Sequence, residues 1–176
     1  MDSRVMKGYY YLDTSAQVKY YVSELGTAWI RRLVNTLDPD TGQRANQLFT
    51  VAITVAEATA AFAVIARMGR ISKRIRDRTF DRYMKTISVY FQLVPVTADL
   101  ITLAAHLTQS HPLKGYDAVQ VAAALRLQRT LGPDRALVFV AGDETVITAA
   151  QSEGLTVDNP FWHVGESETD RPLHNR

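Results

Sequence analysis

Four short runs of strand-forming residues, each followed by a stretch with helical periodicity, constrain this chain more than any other feature. The runs are residues 9–12 (YYYL), 50–54 (TVAIT), 93–96 (LVPV) and 137–141 (LVFVA). Helical patterns cover about 15–24 and 27–37, then 55–67, 71–91, 98–108, 116–130 and 144–153. A strand that passes through a helix before the next strand can pair with it only in parallel, so the pattern predicts an α/β domain with a mainly parallel sheet covered on both faces. In such sheets ligands gather at the loops after the carboxyl ends of the strands.

A length of 176 residues suits one compact domain better than two small cores. We expect it to span 1–160, with a polar tail over 161–176 ending in GESETDRPLHNR. The apolar fraction of 47% and charged fraction of 22% are those of an ordinary globular protein. The absence of cysteine excludes a disulfide scaffold and any Cys-ligated metal site, and permits a reducing compartment. The start, MDSRVMKG, lacks the apolar core of an export signal, and the longest apolar stretch, 51–66, contains Glu57 and is too short for a membrane span. The expectation is a cytoplasmic protein with no membrane partner.

Four acids stand in apolar company. Asp13 is the only charge between Gly8 and Val18, and Glu57 the only one between Leu48 and Ala66. Asp117 is alone from Gly115 to Leu125, and Asp143 closes the run ALVFVAG. Each has a modest explanation in isolation: Asp13 or Ser15 can cap a helix, Asp117 can favour a helix dipole and Asp143 can sit in a turn. Glu57 is harder to explain, because a glutamate in an Ala- and Val-rich helix has no capping role outside the first turn. A buried ionised carboxylate is costly, and several together raise one another's pKa, so positive charge has to come from elsewhere. Oxygen donors without Cys or His at the same motifs suit Mg²⁺ or Mn²⁺ rather than zinc.

Positive charge is concentrated in one place. Residues 67–85 carry about +6 and the rest of the chain about −4. This segment is either a solvated helix face or a surface in which Arg70, Lys73, Arg74, Arg76 and Arg78 meet the phosphate backbone of a nucleic acid, with Tyr83 available to stack on a base and Lys114 meeting phosphate nearer the acids. Phe80, Tyr83, Ile87 and Tyr90 recur at helical spacing, which core packing explains; a groove for a partner helix is the alternative. The four histidines, His106, His111, His163 and His174, suggest no paired acid–base site for attack by a ribose hydroxyl.

The segments YLDTSAQVKYYVSE, ITVAEATAAF, LKGYDAVQVAAAL and VFVAGDETVITAAQSEGLTV resemble, in order, the motifs of PIN domains, and especially of the VapC-type toxins of toxin–antitoxin pairs. The resemblance covers residues 8–160. It implies a three-layer α/β/α fold whose acids meet in one cleft and bind Mg²⁺ or Mn²⁺ to hydrolyse RNA. Asp13, Glu57, Asp117 and Asp143 match the four acids in turn, as metal ligands and catalytic groups. Ser15 matches the small hydroxyl residue after the first acid, where it would orient Asp13 or a metal-bound water. The same resemblance implies a cognate VapB-like antitoxin and homodimerisation. Gln120 stands where many relatives carry His, and AGDE replaces a more usual Ala-Asp or Thr-Asp. A PIN-like module that binds RNA or an antitoxin without cutting is the alternative function.

Overall fold

The computed structural model describes residues 8–165. Five strands, β1 (Tyr9–Leu12), β2 (Gln47–Val51), β3 (Phe91–Val94), β4 (Leu137–Val140) and β5 (Thr156–Asp158), form one sheet in the order β3-β2-β1-β4-β5. Every pairing is parallel. Among the described residues there are also seven α-helices: α1 (Thr14–Tyr21), α2 (Thr27–Asn35), α3 (Thr54–Arg67), α4 (Lys73–Tyr90), α5 (Ala98–Ser110), α6 (Gly115–Leu131) and α7 (Glu144–Ser152). This is the parallel sheet covered on both faces that the alternating pattern predicts, in the three-layer α/β/α form that the resemblance implies. None of the described helices is long and apolar enough to cross a membrane.

The period-2 geometry of the strands sorts side chains between two cores. Tyr11 is in register with Phe49 on β2 and Phe139 on β4, and these three face α5, α6 and α7. The Tyr11 and Phe139 rings stack at 5.5 Å between centroids. Leu12, Leu48 and Val140 point the other way, into a core shared with α1, α2, α3 and α4. Residues alternating along strands so short cannot be shifted by one position without exchanging the two cores, which fixes the register.

Two strands begin earlier in the sequence than the apolar runs suggest. β2 ends at Val51 rather than Thr54, because residues after it turn into α3, with the Thr50 hydroxyl donating to Thr54 Oγ1 at 2.9 Å. β3 follows α4 directly at Phe91 and stops at Val94, before Pro95, which has no N–H to offer a ladder. The strand β5 was not foreseen; its three residues are too few to show a period. Beyond it, a 3₁₀ turn at Pro160–His163 stacks His163 on Trp29 at 4.3 Å, so packed structure continues past residue 160. The rest of the expected tail, 166–176, lies outside the described residues.

The basic helix α4 has a defined start: Ser72 Oγ accepts a hydrogen bond from the Ile75 amide. Ser72→Ala is expected to cost about 1 kcal/mol of stability, the usual worth of an N-cap hydroxyl, read as a lower denaturation midpoint at unchanged slope. On the buried side of α4, Tyr83 and Ile87 insert into the core under α1 and α3, as their helical spacing predicts, while Phe80 is left exposed.

Candidate metal and phosphate site

The strand order reverses direction between β1 and β4: β2 and β3 lie to one side, β5 to the other. Chains diverging from this point leave a crevice above the carboxyl ends of β1 and β4. A cleft of about 470 Å³ opens there, and Asp13, Ser15, Glu57, Asp117 and Asp143 all line it. The acids arrive from four separate elements: Asp13 between β1 and α1, Glu57 in the first turn of α3, Asp117 in the first turn of α6 and Asp143 between β4 and α7.

The modest explanations hold for Asp13 and Asp117, while Asp143, expected in a turn, is instead a helix cap. Asp13 does cap α1: its Oδ1 accepts from the Ala16 amide and from the Ser15 hydroxyl, both at 2.8 Å. Asp143 caps α7 through the Thr145 amide. Capping occupies one carboxylate oxygen of each and fixes its rotamer, so the cap and the cleft are two ends of one side chain. Ser15 also accepts from the Gly142 amide at 2.8 Å, tying the β1 and β4 loops together. A Cβ at Gly142 would lie 3.2 Å from Ser15 Oγ and 3.3 Å from the Phe161 ring, so a larger residue here would press on the Ser15 hydroxyl that joins the two loops.

The electrostatics are unfavourable for an empty pocket of acids. Burial pushes Asp13 up to about 7 against the two hydrogen bonds it accepts, and the charges of Asp117 and Glu57 push the same way. Asp117 is raised by desolvation first and by Asp143 second, with Lys114 opposing. Among the described residues no three His, Asp or Glu side chains converge as a ready-made cage. An all-oxygen donor set with mutual repulsion and spare carboxylate oxygens fits a hard, largely hydrated divalent ion, which takes one or two carboxylates and keeps water.

Several residues that build the site carry no obvious signal in the sequence. Gln120 is buried, and its Oε1 accepts from the Tyr11 hydroxyl at 2.8 Å while its Nε2 donates to Glu57 Oε2 at 2.7 Å and also lies within reach of Thr54 and Thr14. Thr14 donates to the same Glu57 oxygen at 2.7 Å. Tyr11 in turn accepts from the Val51 amide, which leaves its hydrogen for Gln120 and fixes the amide's orientation. Lys19, Glu24 and Phe161 also line the cleft. The hints for Gln120 are a lone amide in the apolar run AVQVAAAL and its place where many relatives carry His, and neither indicates a bond to Tyr11 or Glu57.

The basic residues divide. Lys114 adjoins Asp117, and Arg70 reaches Glu24 at 3.4 Å on the cleft's rim. Lys73, Arg74, Arg76 and Arg78 do not line the cleft; Arg76 pairs with its neighbour Asp77. Tyr83 is not the base-stacking surface considered from the sequence. It is fully buried, with its hydroxyl directed at Gln17 and the Thr54 carbonyl, because its face of α4 packs under α1 and α3.

A parallel α/β sheet with a carboxylate-lined crevice at its topological switch defines the class. Residues 10–131 match the PIN domain family, and the chain belongs to it. Such domains are generally nucleases that use divalent metals. No curated protein sequence matches the chain. Its fold is similar to that of a chain in the crystal structure of VapBC2 from Rickettsia felis bound to a DNA fragment from their promoter. The TM-score is 0.54 at 12% identity, over 85% of this chain and 97% of that one.

Proposed function

We propose that this protein is a divalent-metal-dependent endoribonuclease, acting as the VapC-type toxin of a type II toxin–antitoxin pair. The observation that carries this reading is the meeting of Asp13, Glu57, Asp117 and Asp143 in one crevice, with Asp13 pushed to about 7. A family whose members are generally nucleases, and a structural neighbour that is a VapBC complex, support it.

Asp13, Asp117 and Asp143 would hold Mg²⁺ or Mn²⁺, with Glu57 as a further ligand or as the carboxylate that orients the attacking water. The ion would supply charge neutralisation on the phosphoryl oxygens and a more acidic water. The protein's own part is positioning. Ser15 and the Ala16 amide hold one oxygen of Asp13, and Thr14 and Gln120 hold one oxygen of Glu57. Each acid then keeps its second oxygen for the cleft and is denied other rotamers. With Glu57 accepting two hydrogen bonds on Oε2, its other oxygen is the one suited to accept a proton from water in line with the leaving group.

A VapB-like antitoxin and a second copy of the chain are the partners this reading implies. The test is cleavage of a labelled RNA panel by partner-free protein with Mg²⁺ or Mn²⁺, beside EDTA and Asp117→Asn. Loss of cleavage in both controls is expected, with EDTA reversed by adding metal back. Calorimetric metal binding and RNA affinity without turnover would instead identify a binding module, and cleavage that survives both controls would remove the acids from the chemistry.

A further inference from the structure

Among the described residues that line the cleft Lys19 is the one Lys or Arg side chain, and its contacts leave it short of acceptors. It lies on α1 one and a half turns after Asp13, with a side chain 6% exposed. Its ammonium is 2.9 Å from Glu24 Oε1 and 4.2 Å above the Phe161 ring. Its stem runs beside Gly142, 3.6 Å from where a Cβ would stand. An ammonium has three hydrogens to donate. One is taken by Glu24 and a ring face covers part of the rest, which leaves this buried cation short of acceptors among the described residues.

Charge balance sharpens the point. Glu24 Oε2 also meets Arg70, so two cations share one carboxylate and this wall of the cleft carries a surplus positive charge. Lys19 makes its hydrogen bond to Glu24 rather than to Asp13, whose Oδ1 is held by the Ala16 amide and the Ser15 hydroxyl. Nor is Lys19 needed to tie α1 to α2, because Thr27 Oγ1 already bridges the Lys19 carbonyl and the Glu24 amide. A phosphodiester brings one negative charge and oxygen acceptors, which is what the wall lacks.

We propose that Lys19, held in place by Glu24 and Phe161, binds a phosphate of the RNA chain inside the cleft. The inference rests on the reading of the cleft as a site of RNA hydrolysis and deepens it: the acids hold the metal on one side and Lys19 takes substrate phosphate on the other.

Lys19→Met and Lys19→Gln separate this from a structural role. The readouts are steady-state cleavage, across a range of salt, of the RNA that wild type cleaves fastest, calorimetric Mg²⁺ binding and Tm. We expect kcat/KM to fall by 10- to 100-fold, and the slope of log(kcat/KM) against log salt to shrink by about 0.7, one phosphate contact on a single strand. Mg²⁺ binding should be unchanged or tighter, since a cation beside the acids has gone. A kcat/KM within twofold of wild type at unchanged salt slope overturns the proposal and leaves the nuclease reading standing. Mg²⁺ affinity and Tm falling together, or neither variant folding, makes Lys19 a structural tether and also overturns it. Wild type that binds Mg²⁺ but cleaves no RNA defeats the nuclease reading itself, and this inference with it.

Discussion

Asp13→Asn is expected to abolish most metal-dependent cleavage while making the protein more stable at pH 8. The two effects have one cause. Asn keeps the shape and still accepts from Ser15 and the Ala16 amide through Oδ1, so the start of α1 survives. What disappears is a carboxylate charge in a desolvated pocket beside Asp117 and Glu57. Loss of one such charge-stabilising group costs about 10²- to 10³-fold in turnover where the group acts on the transition state.

The sign of the stability change follows from proton linkage. In the unfolded chain Asp13 titrates near its ordinary value of about 3.9; in the folded chain it is raised to about 7. Between those values the folded protein holds a proton that the unfolded chain has released. Stability from this group is therefore greatest below pH 4, falls as pH rises toward 7, and stays at the lower level above it. At about 1.4 kcal/mol per tenfold the ceiling is about 4 kcal/mol. We expect a Tm gain for Asp13→Asn of about 5–10 °C at pH 8, and little change near pH 4. Mg²⁺ should raise the Tm of wild type at pH 8 more than that of the variant, because a bound cation relieves the same repulsion. Thermal melts at the two pH values decide it: a lower Tm for the variant at pH 8 would mean that Asp13 already has its compensating charge within the fold.

Gln120→Leu carries the second large effect, and here stability and activity fall together. Leucine fits the apolar face of α6 but offers nothing to the Tyr11 hydroxyl or Glu57, both of which lose a partner in a buried or partly buried setting. At about 1–3 kcal/mol for each unsatisfied group, less the gain from burying leucine, a loss of about 3 kcal/mol is expected. Cleavage should drop as well, since Thr14 alone is left to orient Glu57. Tyr11→Phe removes the other end of the same link. The double variant should lose less than the sum of the two singles, because a hydroxyl without its amide and an amide without its hydroxyl are the same broken bond counted twice. Additive losses in denaturant melts would show that Tyr11 and Gln120 act independently.

The parallel sheet could be read from the sequence because alternation of strand and helix allows few connections. The four acids could be read because an isolated charge in an apolar run is conspicuous wherever it lies. Both are local properties. Strand ends were legible only to within about three residues: Val51 and Thr54 are equally strand-like, and the strand ends at Val51, paired with Val94 of β3, because the chain then turns into α3. Tyr83 looked as available as Phe80 because helical spacing gives the faces of α4 without saying which is covered, and packing under α1 and α3 covered Tyr83.

Sequence alone singled out Asp13, Glu57, Asp117 and Asp143, since a lone carboxylate in or beside an apolar run is visible without knowing its neighbours in space. Only tertiary structure decided what surrounds them. Gln120 and Tyr11 are more than a hundred residues apart and meet across the sheet. Lys19 drew no notice in the sequence, and it is the fold that buries it beside Glu24 and Phe161. Hydrogen-bond geometry and desolvation depend on which surfaces close on one another, and that is settled by the packing of distant segments rather than by any run of neighbouring residues.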